Sequence, residues 1–493
     1  MRRVAMTRTG ASSHLGGRLA RGARPREDRG HDGVMNRVAA SLTGSHAELG
    51  ATEPRRLVAR ATAVLDENWT GSSTVPSREL YPHQWSWDSA FVALGRARFD
   101  QERAQAELET LFDAQWATGM VPHIVFNPKV PEDAYFPGPS FWRSDLAPAA
   151  PRHVATSGIT QPPVHPRAAL AVWRHAADRT EARAFLERLY PKLVAQHRYL
   201  AERRDVAGSG LAAIVHPWES GMDNSPAWDE ALDDFTIPPG ALPAYQRRDL
   251  VHADPADRPT DAAYDRFVYL AMTYRDHGYD DDALRSSPFQ VEPAMFNAIR
   301  AWSAHALAEI AEVVGDDPAP HLASARRIHD GLLRRLTDPA TGRFGVLDVD
   351  DGDLSGAATI ESTMPLLDPA LPADRVGAIH DYLYQLSASP GRRSGRRRVR
   401  YLVPSYDPAE RDYDPRRYWR GPVWANTNWL VCQGLRLHGL ERSAAAVAAS
   451  TAALVRHAGF REYFDPATGE GYGSHDFSWT AALVVDLLGD LAA

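Results

Sequence analysis

Residues 214–228, IVHPWESGMDNSPAW, carry His216, Trp218, Glu219, Asp223, Asn224 and Trp228. Two prolines and a glycine interrupt any regular helix or strand there. A loop this polar and aromatic is not built to fill a core. Acidic groups between indoles suit sugar chemistry. An indole is a flat apolar platform, and a carboxyl desolvated beside it binds its proton more tightly. A general acid needs that property to stay protonated near neutral pH. An isolated Asp-Asn-Ser-Pro would read as a solvated Asx turn, but similar loops recur along this chain.

Three further stretches have the same character. Trp85, Trp87 and Asp88 open the segment WSWDSAFVALGRARF, where Asp88 could also cap a helix. Residues 401–428 include Tyr406, Asp407, Tyr418, Trp419, Arg420, Trp424 and Asn426, and residues 460–480 include Glu462, Tyr463, Asp465 and Trp479. Glycoside hydrolysis uses one carboxylic acid to protonate the leaving oxygen and a second carboxylate to attack the sugar or activate water. Asp223 or Glu219 in one loop and Glu462 or Asp465 in another are the candidates, with Asp88 as a third source.

Other chemistries lack their residues. No His-Glu-x-x-His pair is present, and Cys432 is the only cysteine, so neither a zinc site nor a disulfide is expected. There is no phosphate-binding Gly-x-x-x-x-Gly-Lys loop and no Gly-x-Ser-x-Gly nucleophile elbow. The glycines at 469–473 do not follow a strand of a βαβ unit. The run Asp348–Asp353 reads as a turn, because Thr359 stands where a calcium loop needs its closing Glu. No metal and no cofactor are expected. Net charge is −8, which gives no general attraction to nucleic acid. No run of 18 apolar residues exists to span a membrane. One cysteine fits a reducing cytoplasm. The sequence leaves open whether the chain forms a homo-oligomer. Two lysines against 53 arginines (55 basic residues in all) point to genome composition rather than mechanism.

These loops need a frame. Apolar residues recur at helical spacing in 54–67, 85–99, 100–117, 165–177, 180–204 and 261–278. They do so again in 291–315, 319–337, 372–386, 424–438, 441–457 and 477–491. Strand signals are few. Twelve helices without a clean linker predict an all-α fold of six helical hairpins closed in a ring, with the long loops forming a site at one end. The domain is expected over 51–493, with insertions near 118–163, 225–260 and 388–423. The first insertion is rich in proline and aromatics and reads as an ordered wall. Residues 1–50 are expected to be a disordered extension. The Arg- and Gly-rich residues 1–34 have no signal-peptide core, and Met35 is an alternative start.

Four stretches, YPHQWSWDSAF, WESGMDNSPAWD, YWRGPVWANTNWL and FREYFDPATGEGYGSHDFSWTA, resemble glycoside hydrolase family 63. The likeness is nearest to its short bacterial branch, the mannosylglycerate and glucosylglycerate hydrolases, and runs in order from about residue 54 to 490, with MVPHIVFNP and STMPLL between. The resemblance implies an (α/α)6 barrel and an inverting α-glycosidase without a metal requirement. It implies Asp223 as general acid and Glu462 as the base that activates water. In an inverting site the two carboxyls stand about 6.5–9.5 Å apart, leaving room for that water. Tyr81, Trp85, Trp87 and Asp88 match residues that hold the sugar, with Gln161 and Trp218 beside them.

The implied substrate is a small anionic glycoside, glucosylglycerate before mannosylglycerate. A carboxylate calls for a fork of N–H donors, which Arg supplies. Arg258 matches that role, with Arg266 as rival, and Tyr264, His123, Tyr418, Trp419 and Trp424 complete the pocket. The alternatives are an α-glucosidase acting on disaccharides or oligosaccharides, a non-catalytic sugar-binding barrel, and an epimerase that would use His123 and His216. The arginine run at 391–400 reads as a solvated loop or as a lid that attracts anions.

Overall fold

The computed structural model describes residues 52–251, 254–388 and 399–492. The expected extension 1–50 and most of the arginine run, 391–398, lie outside the described residues.

Among the described residues twelve long α-helices follow one another. The first half holds α1 (Glu53–Glu67), α2 (Ser86–Arg96), α3 (Gln101–Asp113), α4 (His165–His175), α5 (Arg179–Glu202) and α6 (Asp261–Asp276). The second half holds α7 (Ala294–Val314), α8 (Ala319–Arg335), α9 (Ala373–Ala388), α10 (Ala425–Leu437), α11 (Glu441–Ala458) and α12 (Ser478–Ala492). Each lies where the apolar spacing places it. Seven strands of two or three residues are interspersed.

The helices sort by burial. Every residue of α2 is buried, and α7 and α10 are buried on nearly all sides. By contrast α8 buries a single stripe, Ala325, Ile328, Gly331 and Leu332. A helix apolar all round belongs inside, and a striped one lies on the surface. The inner elements pack in a closed ring: α12, α2, α4, α7, the 3₁₀ segment Ile360–Leu367, α10 and back to α12. Outside them, α1 packs on α12, α3 on α2, α5 on α4 and α7, α8 on α7, α9 on the 3₁₀ segment and α11 on α10. Outer and inner elements alternate along the chain, which makes an (α/α)6 barrel.

One of the twelve expected helices is therefore not a barrel stave. The helix expected over 261–278, α6, sits outside the ring, and Ile360–Leu367 takes the sixth inner place. That segment, IESTMPLL, is wholly buried but has eight residues and contains Pro365. It is too short for a helical period to register and cannot extend as an α-helix past its proline. It meets α10 where Gly434 leaves no room for a Cβ, which would fall 2.6 Å from the Cβ of Leu366.

Short strands draw the functional loops together at the N-terminal ends of the inner helices. β1 (Gln84–Trp85) leads into α2 and pairs antiparallel with β2 (Ile124–Val125). β3 (Val291–Pro293) leads into α7 and pairs with β4 (Val346–Asp348), so α7 starts three residues later than its apolar run. β5 (Val423–Trp424) leads into α10 and pairs with β6 (Tyr463–Phe464), which pairs with β7 (Gly471–Tyr472). Among the described residues no helix is long and apolar enough to cross a membrane.

Candidate active site

Loop 214–228 sends its two carboxyls into different surroundings. Glu219 is fully buried, and both its oxygens accept from the Arg204 guanidinium, at 2.8 and 2.7 Å. It also accepts the amides of Thr160 and Val215. With its acceptor positions filled, Glu219 is a structural residue. Asp223 instead faces a cavity. Its backbone carbonyl accepts Trp228 Nε1 at 3.0 Å, and the next residue, Asn224, donates through Nδ2 to the Tyr418 carbonyl at 2.8 Å. Gly221 turns the chain at φ +73, and a Cβ there would stand 2.5 Å from the Trp87 indole. Burial pushes the Asp223 carboxyl up to about 7, with Glu462 and Asp249 acting in the same direction and Arg258 against it. A carboxyl desolvated in this way keeps a large share of its protons near neutral pH.

Glu462 reaches the same cavity from the chain just before β6. Its Oε1 accepts the hydroxyls of Tyr81 and Tyr418, both at 2.9 Å, and its Oε2 accepts the Ser474 amide at 3.1 Å. A carboxylate offers about four lone-pair sites, so one on Oε2 stays open. Burial raises its proton affinity, opposed by Arg258 and these donors. Glu462 is thus a held base, stronger than a surface carboxylate. Asp465, its rival by sequence, turns away and caps the amides of Ala467 and Thr468.

Asp88 is the third carboxyl of the cavity. It is the third residue of α2, while Trp85 holds the cap position. Burial holds its carboxyl well above the usual range, with Glu462 and Glu107 adding to the effect. Beside Asp88, Asp223 and Glu462 the cavity is lined by Tyr81, Trp85, Trp87 and Gln161, whose Oε1 accepts the Trp87 amide at 3.2 Å. His123, Trp218, Tyr264 and Tyr418 line it as well.

Arg258 also lines the cavity, with 6% of its surface exposed. Its Nε donates to Asp249 at 3.2 Å, its Nη1 reaches the Tyr81 hydroxyl at 3.4 Å, and its guanidinium lies 4.1 Å from the centre of the Tyr418 ring. Its rival Arg266 pairs with Asp233 and is not among the lining residues. His123 bonds Ser157 through Nδ1 at 2.6 Å, and burial holds it neutral. His216 donates from Nε2 to the Phe267 carbonyl and accepts the Trp218 amide on Nδ1. With both ring nitrogens engaged and burial lowering its pKa to about 4, it has no capacity left for a paired-histidine epimerase.

Two residues expected in the pocket do not line it. Trp419 and Trp424 stack on each other at 3.7 Å, nearly parallel, and Trp424 meets Tyr418 edge-on at 5.0 Å. Trp424 caps an inner helix and its ring is drawn into the barrel core. The pair supports the wall that Tyr418 presents. The sequence reading left out Tyr135, Phe136, Asp249, Phe477 and Trp479 as lining residues. Four are aromatics of loops already singled out. Asp249 lies in QRRDL, where nothing in composition sets it apart. Among the described residues no group of His, Cys, Asp or Glu is placed to hold a metal ion.

A family model described as a mannosylglycerate hydrolase MGH1-like glycoside hydrolase domain matches residues 81–480. The chain is 43% identical over 433 residues to a mannosylglycerate hydrolase of Rubrobacter radiotolerans, spanning 88% of this chain and 96% of that one. It is also 43% identical over 451 residues to a glucosylglycerate hydrolase of Mycolicibacterium hassiacum, spanning 88% and 98%. The crystal structure of a family 63 mannosylglycerate hydrolase from Thermus thermophilus, in complex with Tris and D-glycerate, matches with a TM-score of 0.80 and 41% identity, over 87% and 99% of the two chains. By fold, cavity and sequence alike, the chain belongs to the mannosylglycerate hydrolase-like branch of glycoside hydrolase family 63.

Proposed function

We propose that the enzyme hydrolyses the α-glycosidic bond of a hexosyl glycerate with inversion, releasing the sugar and glycerate. Asp223 gives its proton to the glycerate oxygen as the bond breaks. Glu462 takes a proton from a water that attacks the anomeric carbon from the opposite face. The open lone pair on Glu462 Oε2 is where that water would be held. The observation that carries this reading is one cavity in which a carboxyl protonated to about pH 7 faces a carboxylate fixed by three donors. Asp88 accepts sugar hydroxyls, and the indoles of Trp85 and Trp87 flank the ring. Arg258 receives the glycerate carboxylate, with three of its five N–H groups left free by Asp249 and Tyr81. An anionic anchor of this kind favours the hydroxy acid over the disaccharide that a related α-glucosidase would cleave.

The test is an NMR time course with α-glucosylglycerate and α-mannosylglycerate in parallel, since the relatives named for either sugar are equally identical to this chain. The β-hexose appears first. Its release falls by about 10²- to 10⁴-fold in Asp223→Asn and in Glu462→Gln. With Asp223 required protonated, kcat/KM declines as pH rises through about 7. Release of the α-anomer would overturn the inverting assignment. Cleavage of disaccharides but of neither glycerate would replace the substrate, and binding without turnover would leave a sugar-binding barrel.

A further inference from the structure

Arg258 faces two opposed demands. Its free N–H groups suit an anionic aglycone, yet its charge lies beside Asp223, which must keep a proton. The side chain between these roles is Asp249, which also lines the cavity and is 8% exposed. Asp249 Oδ2 accepts Arg258 Nε at 3.2 Å and Arg247 Nη2 at 2.6 Å, and its Oδ1 accepts Arg247 Nε at 3.1 Å. Arg247 is fixed in turn. Its Nη1 donates to the Pro259 carbonyl at 2.8 Å and to Asp261 at 2.9 Å, and its guanidinium lies 4.4 Å from the centre of the Tyr264 ring. The Arg247–Asp249 pair therefore grips the backbone on one side of Arg258 and its guanidinium on the other.

We propose that Asp249 is a positioning residue that aims Arg258 at the aglycone carboxylate and offsets the arginine's charge at Asp223. This rests on the reading that the aglycone is an acid. The groups facing Asp223 are Arg258, Glu462, Asp249 and the phenols of Tyr81, Tyr135 and Tyr418. Burial keeps the phenols neutral, so three charges act on the acid. Arg258 draws the proton off, and Glu462 and Asp249 hold it on. Without Asp249 the balance tips toward the arginine, and the charged one of the groups that fix the guanidinium is lost.

The experiment compares wild type, Asp249→Asn and Asp249→Glu across pH, with α-glucosylglycerate and the neutral α-glucosylglycerol as substrates. In Asp249→Asn the basic limb of kcat/KM moves down by about one pH unit on both substrates, the low end of what a neighbouring charge does to a carboxyl. KM for the glycerate rises about tenfold or more, as expected when a buried charge pair loses one partner, and rises less for the glycerol. Asp249→Glu returns the limb toward wild type. An unmoved limb, with equal loss on both substrates, would make Asp249 structural only and overturn the proposal. If wild type does not prefer the glycerate, the acidic-aglycone reading fails, but the limb measured on the glycerol still decides the effect on Asp223.

Discussion

Replacing Arg258 with Met tests the carboxylate anchor most directly. Arg has five N–H donors. One serves Asp249 and one serves Tyr81, so three remain for ligand. Planar carboxylate recognition uses two of them in parallel. A charge-assisted hydrogen bond contributes about 1.5–3 kcal/mol net, so losing the fork of two should cost about 3–6 kcal/mol in transition-state binding of the acid, or about 10²- to 10⁴-fold in kcat/KM. A neutral glucosylglycerol never had those bonds and should lose far less. The variant has a second signature. Arg258 lowers the proton affinity of both Asp223 and Glu462. Without it the acid keeps its proton to higher pH and the base becomes protonated at higher pH. Both limbs of the pH profile therefore shift to the alkaline side, opposite to the basic-limb shift expected of Asp249→Asn. The fold has a reason to survive, because Asp249 keeps its contact with Arg247. The assay is steady-state hydrolysis of both glycosides between pH 4 and 9. An unchanged preference for glycerate over glycerol, or equal losses on both, would refute the reasoning.

Asp223→Asn should cut turnover by about 10²- to 10⁴-fold but stabilise the fold in a pH-dependent way. The carboxyl has its ordinary value, about 3.9, when unfolded and about 7 when folded. The folded state therefore binds the proton more tightly, and wild type loses stability as pH rises between those values. The variant's gain in Tm should grow from pH 4 to 7 and level off above; a gain independent of pH would show that the acid is not held protonated by burial. Glu219→Gln should do the reverse. It strips the partner from fully buried Arg204 and should cost about 3–5 kcal/mol in denaturant unfolding, while leaving the pH limbs of the remaining folded enzyme in place. A shifted basic limb in that variant would mean that Glu219 acts on the chemistry.

Much of the frame was legible because it depends on local periodicity. All twelve long helices lie where apolar residues recur at helical spacing, with ends displaced by a few residues where a strand or turn intervenes. What was not legible is which helices close the ring. Membership is a tertiary property: α6 has as good a helical pattern as any stave, yet it lies outside, while IESTMPLL carries no period and serves as the sixth inner element. The aromatic loops pointed to the site because indoles and carboxyls together are rare in turns. Composition could not say which rings face inward, so Trp419 and Trp424 behind Tyr418 read the same as Tyr418 itself. Asp249 was invisible for the opposite reason. Its importance comes from Arg247 and Arg258 converging on it in space, in a stretch with no unusual residues.

Glu219 and Asp223 show most clearly where sequence stops and environment begins. Four residues apart in one loop, they are equivalent candidates by type and by neighbours. Burial alone does not separate them: Glu219 is fully buried, and Asp223, half-buried at the cavity wall, is still strongly desolvated. The difference is compensation. Glu219 is met by a full guanidinium fork and two amides, so its acceptor positions are filled. Asp223 is desolvated without a side-chain donor of its own among the described residues, and its nearest cation, Arg258, is partly spent on Asp249. A buried acid that lacks a partner keeps its proton, and a proton kept near neutral pH is one that can be given to a leaving group. The proposed catalytic assignment therefore rests on how the arginines are engaged: Arg204 fully on Glu219, and Arg258 on Asp249 and Tyr81 rather than on Asp223.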